Sequence, residues 1–209
     1  MSSYARAERQ ALVDLFLEVG PDAPTLCEGW STRDLAAHLV VRERRPDAGA
    51  GIVIGALAGH TRSVQNARRD GSTWPQLVEA VRTGPPFPLR WNVVDEQINA
   101  VEYFVHHEDV RRAVPGWAPR PLDPKFERAI WSRVKLMART LRSKSPVGVT
   151  LRAPDAGEIV AKPGQPHVTV TGAPGELLLF VFGRQEAARV EIAGEPEAAA
   201  QLRAAKLGL

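Results

Sequence analysis

The 209-residue chain changes texture near Pro146. Before that point apolar residues recur at i, i+3, i+4 and i+7, the period of a helix with one buried face. Beyond it come short β-rich runs at 147–151, 158–161 and 167–171, broken by Gly and Pro. A helical pattern at 174–184, a strand at 189–193 and a last helix at 195–206 complete the chain. The two periods need different layers, so the pattern predicts an α+β chain: an all-helical unit over 1–145, then a small α/β unit over 146–209.

Within the helical part, Leu12, Leu15, Phe16 and Val19 form one stripe over 3–19, closed by Gly20-Pro21. A second helix starts at Ser31, which has capping-box spacing to Asp34, and carries Leu35, His38, Leu39 and Arg42 before Pro46 stops it. A third helix is expected over 49–69, and a short one opens at Thr73-Trp74-Pro75, with Pro in the first turn. Gly84-Pro85-Pro86-Phe87-Pro88 reads as a rigid loop. The segment 91–114 sets an apolar stripe (Val94, Ile98, Val101, Val105) beside a polar one (Asp95, Asn99, Glu102, His106, Asp109). Residues 123–143 give one more amphipathic helix, with Phe126, Ile130, Val134, Met137 and Leu141 on one face.

The net charge of +3 rests on 22 Arg against 5 Lys, and the basic residues alternate with acids, as in Arg42-Glu43-Arg44-Arg45-Pro46-Asp47. A nucleic-acid partner is not expected, because a binder shows a clustered basic stripe. The lone Cys27 excludes an intramolecular disulfide and a Cys-rich zinc site. Neither a signal-peptide pattern nor a long apolar run is visible, so the expectation is a cytoplasmic protein with no membrane partner.

Glu102 and His106 stand four apart, so both project from one helix face and can grip one ion. His38, in line with Leu35 and Leu39, is the candidate third ligand. Two imidazoles and a carboxylate leave open positions, which suits catalysis better than a closed structural site. The competing reading is a satisfied core histidine beside a chance Glu–His pair. A carboxylate buried without a partner is costly, which favours the metal. Asp109 either orients a ligand or is an exposed helix-end acid. His107 sits about 100° round the helix from His106 and is expected to meet Tyr103 instead. Cys27 reads as a small buried residue.

The stretch Thr25-Leu26-Cys27-Glu28-Gly29-Trp30-Ser31-Thr32-Arg33-Asp34-Leu35-Ala36-Ala37-His38-Leu39 resembles the N-terminal signature of the mycothiol-dependent maleylpyruvate isomerase family, among the DinB-like metal-binding bundles. Glu102, His106 and Asp109 match its second signature, and 172–184, ending in Gly183-Arg184, is similar to its C-terminal domain. The resemblance implies a DinB-like up-down four-helix bundle with a small α/β domain, the short helix at 73–81 being an insertion. It implies His38, Glu102 and His106 as ligands of a divalent metal, zinc first, with nickel or another ion as alternatives. It also implies mycothiol, a low-molecular-weight thiol, as co-reactant, and a small electrophilic substrate that is isomerised or S-transferred. The family's His-Gly-Trp-Asp is here His106-His107-Glu108-Asp109.

Arg184 is a candidate catalytic residue that would grip a substrate carboxylate; otherwise it is a charge at a helix end. Two further readings stand beside the isomerase: a metal-dependent hydrolase with Asp95 or Glu43 as base, and a non-catalytic metal- or ligand-binding module. A monomer and a homodimer are both compatible with the sequence.

Overall fold

The computed structural model describes residues 4–49, 58–85 and 93–208, with the side chains at 46 and 93–98 left aside. The side chains of the expected positions Val94, Asp95 and Ile98, the loop at 86–88 and the start of the expected third helix lie outside what is described. The chain divides into two compact units between Ala118 and Pro119.

The first unit contains α1 (Tyr4–Val19), α2 (Thr32–Arg44), a single turn α3 (Pro46–Gly49), α4 (Ala58–Asp70), α5 (Trp74–Thr83) and α6 (Val93–Arg111). Its core is built from Leu12, Val13 and Phe16 of α1, Leu35 and Leu39 of α2, Leu77, Val78 and Val81 of α5, and Tyr103 and Val110 of α6. Helix α5, expected as an insertion, is therefore part of the core. Val19, placed on the buried stripe by its spacing, is exposed at the helix end. Helix α4 buries only Thr61 and Gln65 and lies along α2 with a mostly polar surface.

The start of α2 is fixed tightly. Asp34 Oδ2 accepts from the Ser31 backbone N–H at 3.0 Å and from the Ser31 hydroxyl at 2.8 Å, and the Ser31 side chain caps the Asp34 amide. The preceding loop folds back on it: Thr32 N–H reaches Ala23 O at 3.0 Å and Arg33 N–H reaches Pro21 O at 2.9 Å. Gly29, with φ +75°, supplies the left-handed turn just before Trp30.

The second unit holds α7 (Pro124–Met137), a 3₁₀ turn (Ala138–Thr140), α8 (Leu141–Lys144), β1 (Gly148–Ala153), β2 (Gly157–Lys162), β3 (His167–Thr171), α9 (Pro174–Val181), β4 (Glu191–Gly194) and α10 (Pro196–Ala204). The sheet order is β2-β1-β3-β4, with β1 parallel to β3 and the two outer pairings antiparallel. Val149 and Leu151 of β1, Val168 and Val170 of β3, and Leu177 to Phe180 of α9 are buried. The single helix expected over 123–143 is interrupted by the 3₁₀ turn, where the Thr140 hydroxyl donates to Met137 O at 2.7 Å. Helix α7 packs on α9. It therefore belongs with the sheet, and the division falls upstream of the boundary read near residue 145. The α+β class stands as expected. No helix among the described residues is long and apolar enough to cross a membrane.

Burial works against the Asp34 charge, but hydrogen bonds from Arg69 and Ser31 hold its carboxyl below the ordinary range. A depressed carboxylate stabilises the fold above its unfolded pKa and loses that contribution as pH falls. Asp34→Ala should cost about 0.5–2 kcal/mol at neutral pH. Thermal unfolding of variant and parent should converge as the pH is lowered below about 4.

Candidate metal centre

Two helices and one loop bring the expected residues together. Two turns into α2 from its cap, His38 lies against the Trp30 ring, with centroids 5.1 Å apart. From α6 the His106 ring meets His38 edge-on at 5.4 Å. Glu102 Oε2 is 3.6 Å from His106 Nε2. His38 and His106 are buried, while Glu102 keeps partial exposure.

The two nitrogens of His106 face different neighbours. Nε2 faces Glu102, whereas Nδ1 is 2.9 Å from Asp109 Oδ2. The Cys27 thiol donates to the same Oδ2 at 3.2 Å, and Leu26 N–H donates to Asp109 O at 3.0 Å. Asp109 is fully buried, so it is not an exposed helix-end acid. It orients His106 and ties the loop to α6. Cys27, His106 and Asp109 also form a compact group whose potential ligand atoms lie within 4.8 Å of one another.

Electrostatics separates the two imidazoles. Burial first, and the neighbouring His106 second, push His38 down to about 3, with Glu102 acting the other way. Burial opposes charge on His106 too, but hydrogen bonds with Asp109, Cys27 and Glu102 outweigh it and raise its pKa well above the usual value. Burial would raise Glu102, yet the hydrogen bond with His106 and the charge of Arg42 hold it near 2. The shifts run in opposite senses: His38 is driven toward its neutral form, His106 and Glu102 toward their charged forms.

Sequence reasoning missed several supporting groups. Arg42 Nε lies 3.6 Å from Glu102 Oε2, and its Nη1 donates to Asn99 Oδ1 at 2.6 Å. Its position four residues after His38 was the available signal, since i and i+4 share a helix face. Gln65 of α4 hydrogen-bonds His38, and nothing local in the sequence marks it.

Other expectations need correction. His107 does not meet Tyr103; its Nδ1 is 3.3 Å from Glu8 Oε2 of α1. The Tyr103 hydroxyl donates to Glu43 Oε1 at 2.7 Å. Arg9 grips both oxygens of Glu43, at 2.6 and 3.1 Å, and stacks over the Tyr103 ring. Gly84 makes room for that guanidinium, since a Cβ there would overlap it. Burial pushes the Glu43 pKa up while Arg9 and Tyr103 pull it down, and the carboxylate is fully engaged. Glu43 is therefore unsuited to act as the hydrolytic base. Arg184 belongs to the second unit, where its Nη1 donates to Phe182 O at 2.7 Å.

No protein-family model and no curated protein matches the chain. One solved structure does: the crystal structure of a mycothiol-dependent maleylpyruvate isomerase aligns over 92% of this chain and 91% of that one, with a TM-score of 0.55 and 17% identity. In fold, this chain is similar to that isomerase. The likeness extends across both the helical part and the small sheet, as the coverage requires.

The opposed imidazoles can be checked by nitrogen NMR on metal-free protein. His38 should keep a neutral signature down to about pH 5, where an unperturbed histidine would be charged. His106 should keep an imidazolium signature through neutral pH. A single shared midpoint near the ordinary histidine value would contradict the arrangement.

Proposed function

We propose that the chain binds one divalent cation through His38, Glu102 and the Nε2 of His106, and that it handles a small-molecule thiol there, in isomerisation or S-transfer on a small electrophile. The observation that carries this reading is the split role of His106. One nitrogen is oriented by a buried carboxylate, and the other faces Glu102 beside His38. A metal-binding histidine characteristically gives its second nitrogen to a carboxylate in this way.

The donor set fits a cation. Two imidazole nitrogens and one carboxylate oxygen suit zinc, with nickel or another divalent ion as alternatives. His106 Nε2 faces a carboxylate and lies beside a second imidazole, surroundings that suit positive charge. Arg42 pairs with Glu102 and orients its carboxylate.

A bound divalent cation lowers the pKa of a coordinated thiol, so the reactive thiolate is present near neutral pH. The rest falls to the protein. His38 is already neutral and needs no deprotonation to act as a ligand. Trp30 covers one side of His38. Asp109 fixes the His106 ring. The name of the structural neighbour supports mycothiol as the thiol, and a small-molecule substrate with it. No step is assigned to Arg184.

A second reading places the cation on the other side of His106, between Nδ1, Cys27 and Asp109, because those atoms already cluster. The direct Nδ1–Asp109 hydrogen bond favours the first reading. Cobalt substitution separates the two, since ligation by Cys27 would add a cobalt–thiolate charge-transfer band and His38→Ala would leave that site intact.

His38→Ala and His106→Ala should each abolish stoichiometric metal on elemental analysis, while His107→Ala retains it. Asp109→Asn should weaken metal affinity by about tenfold to a hundredfold without removing a ligand. Turnover of electrophiles should require added low-molecular-weight thiol. Ester or amide cleavage without thiol would instead favour the hydrolase.

A further inference from the structure

A second cluster of polar groups lies elsewhere on α2 and α4. A cavity of about 510 Å³ is lined by Val40, Val41, Arg44, His60, Val64 and Arg68, with Arg45, Ser63 and Ala67 completing its wall. That volume is in the range of small-molecule sites. None of the lining residues is acidic. Arg45 is neutralised locally, because its Nε and Nη2 both bond Asp47, at 2.9 and 2.7 Å. His60 lies 3.5 Å from the same carboxylate.

Arg44 and Arg68 differ from Arg45. Both line the cavity, and no carboxylate pairs with either guanidinium among the described residues. Arg44 is held in place by its far end, where Nη2 donates to Ala80 O at 2.9 Å and to Gly84 O at 3.0 Å. Two guanidinium groups and no acidic residue on one cavity wall favour an anion beside them.

The number of donors narrows the ligand. One guanidinium fork satisfies a carboxylate, which has two oxygens and one charge. Two guanidinium groups, with the Ser63 hydroxyl and the His60 ring nearby, suit a group with three peripheral oxygens and nearly two charges. Val40, Val41 and Val64 offer an apolar wall to whatever carries that group. We propose that this cavity binds the phosphate of a small phosphomonoester, with the organic part against the valines.

Phenyl phosphate is a suitable probe, compared by titration calorimetry with inorganic phosphate and with phenol. Phenyl phosphate should bind saturably and more tightly than inorganic phosphate, and phenol should not bind. Arg68→Gln should weaken phenyl phosphate by at least about tenfold, the loss of a bidentate contact. Val64→Phe, which fills the cavity and keeps every charge, should also weaken it. Melting temperatures of both variants verify that they fold. Binding should persist in His106→Ala, which separates this cavity from the metal centre. No saturable binding, equal affinity in Arg68→Gln, or loss of binding in His106→Ala would each overturn the proposal. Equal affinity for inorganic phosphate would do the same, because it would reduce the cavity to general positive charge.

Discussion

The first unit is organised around the carboxylate of Asp109. Taking a charge out of water costs several kcal/mol unless it is paired and hydrogen-bonded. Asp109 is fully buried, and its Oδ2 meets that condition with the His106 ring and the Cys27 thiol together. The bonds join residues distant in sequence, so they hold the loop before α2 against the end of α6. That loop carries Trp30, and Trp30 backs His38. The position of one imidazole and the orientation of the other therefore depend on the same buried acid.

Besides the buried Glu108 paired with Arg111 and Arg112, helix α6 carries polar systems on two further faces. One holds Glu102, His106 and Asp109. The other holds Tyr103 and His107, which meet Glu43 and Glu8. Neither carboxylate of the second system is left without a partner, since Arg9 closes on Glu43 and His107 on Glu8. Such buried pairs add little net stability compared with an apolar core, but breaking one side is costly. Their geometric demands leave few alternative packings of α1, α2 and α6. A defined register of α6 is what places Glu102 and His106 toward α2.

Much of this was legible in the sequence because it depended on local spacing. The capping box of Ser31 and Asp34, the shared face of Glu102 and His106, and the switch from helical to strand period all follow from short-range geometry. The strands at 148–153, 157–162 and 167–171 lie where β-branched runs between turn residues put them. What escaped was long-range. Nothing near Gln65 or Cys27 announces the partners they find on other elements. The resemblance implied that helix α5 is an insertion, yet Leu77 and Val81 are fully buried. Helix α7 continued the helical texture but packs with α9, because periodicity reports that a face is buried and not what covers it.

Asp34 also has a second oxygen. While Oδ2 caps α2, Oδ1 accepts from Arg69 Nη1 of α4 at 2.8 Å. One half-buried carboxylate thus caps the start of α2 and also ties α4 to it. Helix α4 carries Gln65 to His38 and Arg68 to the arginine-lined cavity. Asp34, one turn before His38 on α2, therefore acts as a common alignment pin, and a substitution there would shift Gln65 and Arg68 relative to α2 while leaving both residues intact.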